Sequence, residues 1–306
     1  MRLSYSVMPT ALTAPLRDGR VRPNGLELDV STPKSTDANS RAMLKREFDV
    51  AEMSVAAFAK AVETGLPLLA LPVFTSGRRF VQSGFLFSAN SKVRTLEGLR
   101  GGTVGVPQYW LSSCFWQRMA LRELYGIQPG DVRWVSAQPE RFDDVPPPLG
   151  VDLRLADGPD LAELAAQVDA LLMPVGDVPP PVAAATVPAY GDCAAAERDF
   201  YLAAGVFPLM HVTVLRAELA ERDGVVPALL EAYARAKALA EADPGTKWPL
   251  PPFGHDVTAL RELLGGDPWP YGLTRNRAAI DAFLDAATAQ GLLRRRVAID
   301  EMFVRD

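Results

Sequence analysis

The chain has 306 residues, 48% hydrophobic and 23% charged, with a formal net charge of −5. That length favours two packed units over a single core, and no run of about 18 uncharged apolar residues exists that could span a bilayer. Basic residues are scattered except for Arg294-Arg295-Arg296, which reads as a solvated helix end rather than a nucleic-acid footprint.

Taken in order, Met1 to Val7 enters a strand-like pattern directly, with no leader-type segment, so the protein is expected to be cytoplasmic. Arg2 to Val7 and Leu26 to Val30 read as strands, Thr36 to Arg46 as a helix, and Phe48 to Met53 as a strand running into Ser54. Ser54 is a natural N-cap for the helical spacing of Val55 to Thr64. Thr95 to Leu99 reads as one helical turn, Thr103 to Val106 as a strand ending at Pro107, and Trp110 to Tyr125 as a long amphipathic helix. Val132 to Val135, Val151 to Leu155 and Ala170 to Met173 supply further strands around a helix at Asp160 to Gln167. Pro146-Pro147-Pro148 and Pro179-Pro180-Pro181 predict exposed loops. Leu209 to Arg216 resumes strand character, followed by helices at Val226 to Glu241, Val257 to Leu264 and Arg275 to Gln290. Alternating strands and helices point to an α/β protein with largely parallel sheets.

The two cysteines, Cys114 and Cys193, lack metal-ligand spacing. No GxGxxG, Walker A, HExxH or GxSxG pattern is present, so neither a nucleotide cofactor nor a zinc site is expected.

Ligands of open α/β sheets bind beyond the carboxyl ends of strands, where helix N-termini offer free N–H groups. Glu52 to Ser54 and Pro107 to Ser113 have that arrangement. Ser54, Ser112 and Ser113 are therefore candidates for holding an anion, with helix capping as the plainer role. Glu52 lies in an otherwise apolar strand and must face a cleft, a partner or water; it is a candidate proton-transfer group, or the partner of Arg46 or Arg79. His211 shares a strand face with Leu209 and Thr213. Arg78 and Arg79, after a Ser76-Gly77 turn, are placed to grip a carboxylate. Gln108 follows Pro107, and Tyr109, Trp269 and Tyr271 are candidate walls for an aromatic ring. His255, in a Pro- and Gly-rich loop after Phe253-Gly254, is expected to be exposed.

Four segments carry a family resemblance: Arg46-Glu47-Phe48-Asp49-Val50-Ala51-Glu52-Met53-Ser54, Gly105-Val106-Pro107-Gln108-Tyr109, Phe207-Pro208-Leu209-Met210-His211, and Trp269-Pro270-Tyr271-Gly272-Leu273 with Asn276-Arg277. In that order they resemble the 4,5-dihydroxyphthalate decarboxylase family. The resemblance implies a two-lobed type II periplasmic-binding-protein-like fold with a ligand cleft between the lobes. Residues 1–86 and 204–306 would form a discontinuous first lobe and 87–203 an inserted second lobe. It implies a cofactor-independent decarboxylase of a hydroxylated aromatic acid, with His211 and Glu52 as the acid/base pair and a small aromatic or carboxylic acid as ligand. A cytoplasmic small-acid binding protein, or another lyase or isomerase using the same cleft, are the alternatives; a homo-oligomer is left open. The chain departs from the family at Met8 to Leu12, which is neutral where the relatives usually carry charge.

Overall fold

The computed structural model describes residues 1–140, 145–146, 148–158, 160–176, 178–248 and 254–305. Pro147 and Phe253, noted above, lie outside the described residues. Arg2–Ser6 (β1), Glu27–Ser31 (β2), Val50–Ser54 (β3) and Leu68–Leu71 (β4) belong to one sheet. Phe85–Ser88 (β5), Thr103–Val106 (β6), Arg133–Ser136 (β7), Asp152–Leu155 (β8), Ala170–Leu172 (β9) and Thr186–Pro188 (β10) form another, after which His211–Arg216 (β11) returns to the first. The strand orders are β2-β1-β3-β11-β4 and β10-β5-β9-β6-β7-β8.

Both sheets are mixed rather than wholly parallel. β2, β1 and β3 run parallel, as do β9, β6, β7 and β8, because helical crossovers return each strand in the same sense. β5 pairs antiparallel with β9 and β10, and β11 antiparallel with β3 and β4. These are the strands on which the chain passes from one sheet to the other.

All five residues of β3 are buried, as expected for an interior strand covered on both faces. Its register with β11 pairs Ser54 with His211 and Glu52 with Thr213. Side chains alternate along strands, so these four share one face of the sheet. The sequence pattern alone cannot supply that pairing, since more than 150 residues of chain intervene.

The helix Ser112–Tyr125 is buried at every position from Ser112 to Leu121, so it is enclosed by protein and not half-exposed as its sequence suggests. It packs against the helices Cys193–Ala204 and Leu273–Ala289. Trp116 Nε1 donates to Leu209 O at 2.9 Å, and the Phe115 and Phe283 rings meet with centroids 5.3 Å apart. One apolar cluster joins Met53 and Val214 of the first sheet to Val104 and Trp134 of the second. Burial of each such side chain contributes about 1.5–3 kcal/mol, which holds the sheets to a fixed separation.

Two expectations need correction. Pro180 and Pro181 open a short helix, Pro180–Ala185, because the first helical positions need no N–H donor. His255 is not exposed: its side chain is 11% accessible and sits beside Glu197. Among the described residues no helix is long and apolar enough to cross a membrane.

Candidate functional site

A cavity of about 510 Å³ opens where the two sheets face each other, a volume within the usual range for small-ligand sites. The first sheet and its loops bring Lys34, Asp37, Ser76, Arg79 and His211 to its wall; the start of the enclosed helix brings Ser112 and Ser113. Ser54 lies on the wall between them.

His211 opens β11, with its side chain 20% accessible, and Glu52 stands behind it at 1%. Glu52 Oε1 lies 3.0 Å from His211 Nδ1. Ser76 Oγ donates to the same carboxylate oxygen and lies 2.8 Å from Nδ1. A serine has one hydroxyl hydrogen; spent on Glu52, it leaves Ser76 Oγ to accept from His211 Nδ1–H. That inventory assigns the ring hydrogen to Nδ1 and leaves Nε2 as the working atom of a neutral ring. If the ring is protonated, the charge faces the carboxylate across one short contact.

Gly77 fits against this ring. Its φ is +61°, a left-handed conformation that glycine adopts without strain, and a Cβ there would lie 2.5 Å from both His211 Cγ and Nδ1. Gly77 O also accepts from Met210 N at 2.8 Å, tying the turn to the residue before His211.

Behind Glu52 the interior stays polar. Its Oε2 is buried without a hydrogen-bond partner. Tyr5 and Tyr233 share a hydroxyl–hydroxyl bond of 2.8 Å nearby. Burial, above all, raises both phenols, and the negative Glu52 adds to the effect.

Ser54 and Ser112 both cap the start of the helix Val55–Glu63 and also line the cavity. Ser54 Oγ accepts from Ala57 N at 3.5 Å, Ser112 Oγ accepts from Ala56 N at 3.1 Å, and the two hydroxyls are 2.8 Å apart. One hydroxyl donates to the other. The pair is therefore left with one spare O–H, at the N-termini of two helices, suited to a carboxylate oxygen.

The structure does not bring the other expected residues here. Arg78 lies on the far side of its turn, with Nε donating to Pro268 O at 2.9 Å. Gln108 Nε2 donates to Pro139 O at 2.6 Å, and Tyr109 is fully buried beneath Arg118, 3.9 Å from ring centroid to guanidinium carbon. Trp269 stacks on Trp248 at 5.0 Å, and Tyr271 packs near Lys237. All five are core or loop-fixing residues, and none lines this cavity. Arg46, a conceivable partner for Glu52, pairs with Glu218 at 2.5 Å instead.

Lys34, Thr36, Asp37, Thr10 and Ser76 line the cavity without having been singled out from the sequence. The signal was present: Lys34 to Asp37 run from the loop after β2 into the first turn of the helix Thr36–Leu44, a third strand end leading into a helix N-terminus. Among the described residues no cluster of three or more His, Cys, Asp or Glu side chains is arranged to ligate a metal.

Two mixed sheets flanking a ligand-sized cavity define the two-lobed type II periplasmic-binding-protein-like fold. The aliphatic sulphonate binding protein SsuA of Escherichia coli has this architecture: TM-score 0.56 and 15% identity, covering 99% of this chain and 97% of that one. The desulfurization enzyme DSZB matches with TM-score 0.53 and 16% identity over 100% of this chain and 96% of its own. In sequence the chain is similar to 4,5-dihydroxyphthalate decarboxylase of Comamonas testosteroni, 29% identical over 99% of this chain and 96% of that protein. A 4,5-dihydroxyphthalate decarboxylase of Pseudomonas putida is 26% identical over 57% of this chain and 70% of its own length. No family model matches.

Proposed function

We propose that this chain is a cofactor-independent decarboxylase of a hydroxylated aromatic carboxylic acid of the 4,5-dihydroxyphthalate type. Residues 1–86 and 204–306 would serve as one lobe and 87–203 as the other. The observation that carries this reading is a single imidazole at the cavity wall, backed by a buried carboxylate through Nδ1. Likeness to two decarboxylases supplies the reaction class.

In such an acid each carboxylate is para to a hydroxyl. Loss of the phenolic proton to solvent pushes electron density onto the ring carbon bearing the carboxylate, and the phenolate takes a proton back once carbon dioxide has left. His211, as the imidazolium, delivers a proton to that carbon from Nε2, and Glu52 balances the ring's charge while it waits. The carbon–carbon bond to the carboxylate then breaks, its electron pair returns to the ring, carbon dioxide departs, and aromaticity is restored. His211 regains its proton from solvent, so each turnover consumes one proton. Arg79 and Lys34 offset the substrate's charge, and the Ser54–Ser112 pair with Ser113 takes a carboxylate. Glu52 in this scheme orients and balances His211; it does not touch the substrate.

A second reading, a binding protein for a small acid, is favoured by the likeness to SsuA. Incubation with hydroxylated benzoic and phthalic acids separates the two. Carbon dioxide release is expected from 4,5-dihydroxyphthalate; tight binding with no release across the panel would establish the binder.

A further inference from the structure

Arg78 is a buried cation that the His211 cavity does not use. It is 6% accessible, its Nε is committed to Pro268 O at 2.9 Å, and its Nη1 has no hydrogen-bond partner. Its guanidinium carbon lies 5.2 Å from the Phe207 ring centroid and 5.9 Å from that of Phe74. Among the described residues no carboxylate forms an ion pair with it. Among the described residues Asp267 is the carboxylate whose charge it feels, and Asp267 is held by Lys237 and by Trp269 N at 2.9 Å. Desolvation accordingly lowers its pKa to about 10, still protonated at neutral pH. An enclosed charge without a counter-ion is costly.

Beside it is a cavity of about 380 Å³, lined by Arg78, Val206, Phe207, Leu264, Asp267 and Arg275 among others, with Asp267 already paired to Lys237. Arg79, the next residue, faces the His211 cavity. Arg78 lines this second cavity but not that of His211, and Arg79 the reverse, although both also border a small pocket with Phe80 and Phe207.

We propose that this second cavity binds a small organic acid, its carboxylate on Arg78 and its apolar body against Val206, Phe207 and Leu264. Nε is committed to Pro268 O and Nη1 is buried without a partner, so a carboxylate oxygen that reached it would satisfy the orphaned N–H group and supply the missing counter-charge. Arg275, exposed in the first turn of the helix Leu273–Ala289, adds positive charge at the rim. The proposal does not rest on the decarboxylase reading, and its test measures no turnover.

Crystals of the full chain soaked in 4-bromobenzoate report the site directly through the anomalous signal of bromine. A peak is expected between Arg78 and Arg275 in the wild type, and none with 4-bromobenzamide, which lacks the charge. At equal soak concentration Arg78→Met should weaken occupancy about tenfold or more. Arg275→Gln, an exposed change that leaves the core intact, should weaken it about threefold. A bromine peak confined to the His211 cavity, no peak, equal occupancy in both variants, or an equal peak with the amide would each overturn the proposal.

Discussion

The first-sheet side of the His211 cavity carries Lys34, Asp37, Arg79 and His211, whereas the second-sheet side offers Leu111, Ser112, Ser113, Pro174 and Val175, with no titratable group among the described residues. One side can move a proton and the other can only hold a ligand. The difference follows from how each side is built. β3 and β11 set a carboxylate and an imidazole on one sheet face by backbone register, where packing fixes them to within a fraction of an ångström. The opposing wall is a helix start, whose contribution is N–H groups and hydroxyls. Changes on the first side should therefore fall on kcat, and changes on the second on KM.

Short of removing the imidazole itself, the largest effect is expected from Gly77→Ala. A methyl group 2.5 Å from the imidazole must displace the ring, and a misplacement near 1 Å costs about a hundredfold in rate. Steady-state decarboxylation at full activity in that variant would show that the ring position is not critical. Glu52→Gln removes the charge behind Nδ1 while keeping its shape. A fall in kcat of about thirtyfold with KM little changed is expected, partly recovered in Glu52→Asp. Ser112→Ala tests the holding side: KM for the acid should rise about tenfold, through loss of the spare hydroxyl donor, and kcat should change little.

The smallest functional effect belongs to Glu197, on the helix Cys193–Ala204 outside the cavity. Burial pushes its carboxyl up to about 7 from 4.5. Between those values the folded chain holds a proton that the unfolded chain has lost, so stability falls as pH rises through that window and stays lowered above it. Glu197→Gln should stabilise the protein by up to about 3 kcal/mol near pH 8 and by almost nothing near pH 4, with turnover unchanged. Urea unfolding at the two pH values measures this.

The α/β class, most elements and the pairing of His211 with Glu52 as residues of interest were legible from local pattern and family resemblance. Their roles were not, because whether a strand carboxylate faces the cleft or stands behind another side chain depends on long-range register. Arg78 and Arg79 look equivalent in sequence, yet of the two only Arg79 lines this cavity, a consequence of how the turn at Ser76-Gly77 sits in the fold. The aromatic residues Tyr109, Trp269 and Tyr271 were read as ring walls, but large flat side chains are what an α/β core also requires, and all three went there. Ser76 and Gly77 were recognised as a turn; that the turn closes on an imidazole from residue 211 is a tertiary fact.

The proposed chemistry depends on His211 as the proton carrier in the cavity. The direct measurement is carbon dioxide release from 4,5-dihydroxyphthalate by the wild type and by His211→Asn, each checked for an unchanged melting temperature. The account predicts turnover in the wild type and its loss by about a thousandfold or more in the variant. Comparable release from both, with the fold intact, would contradict it.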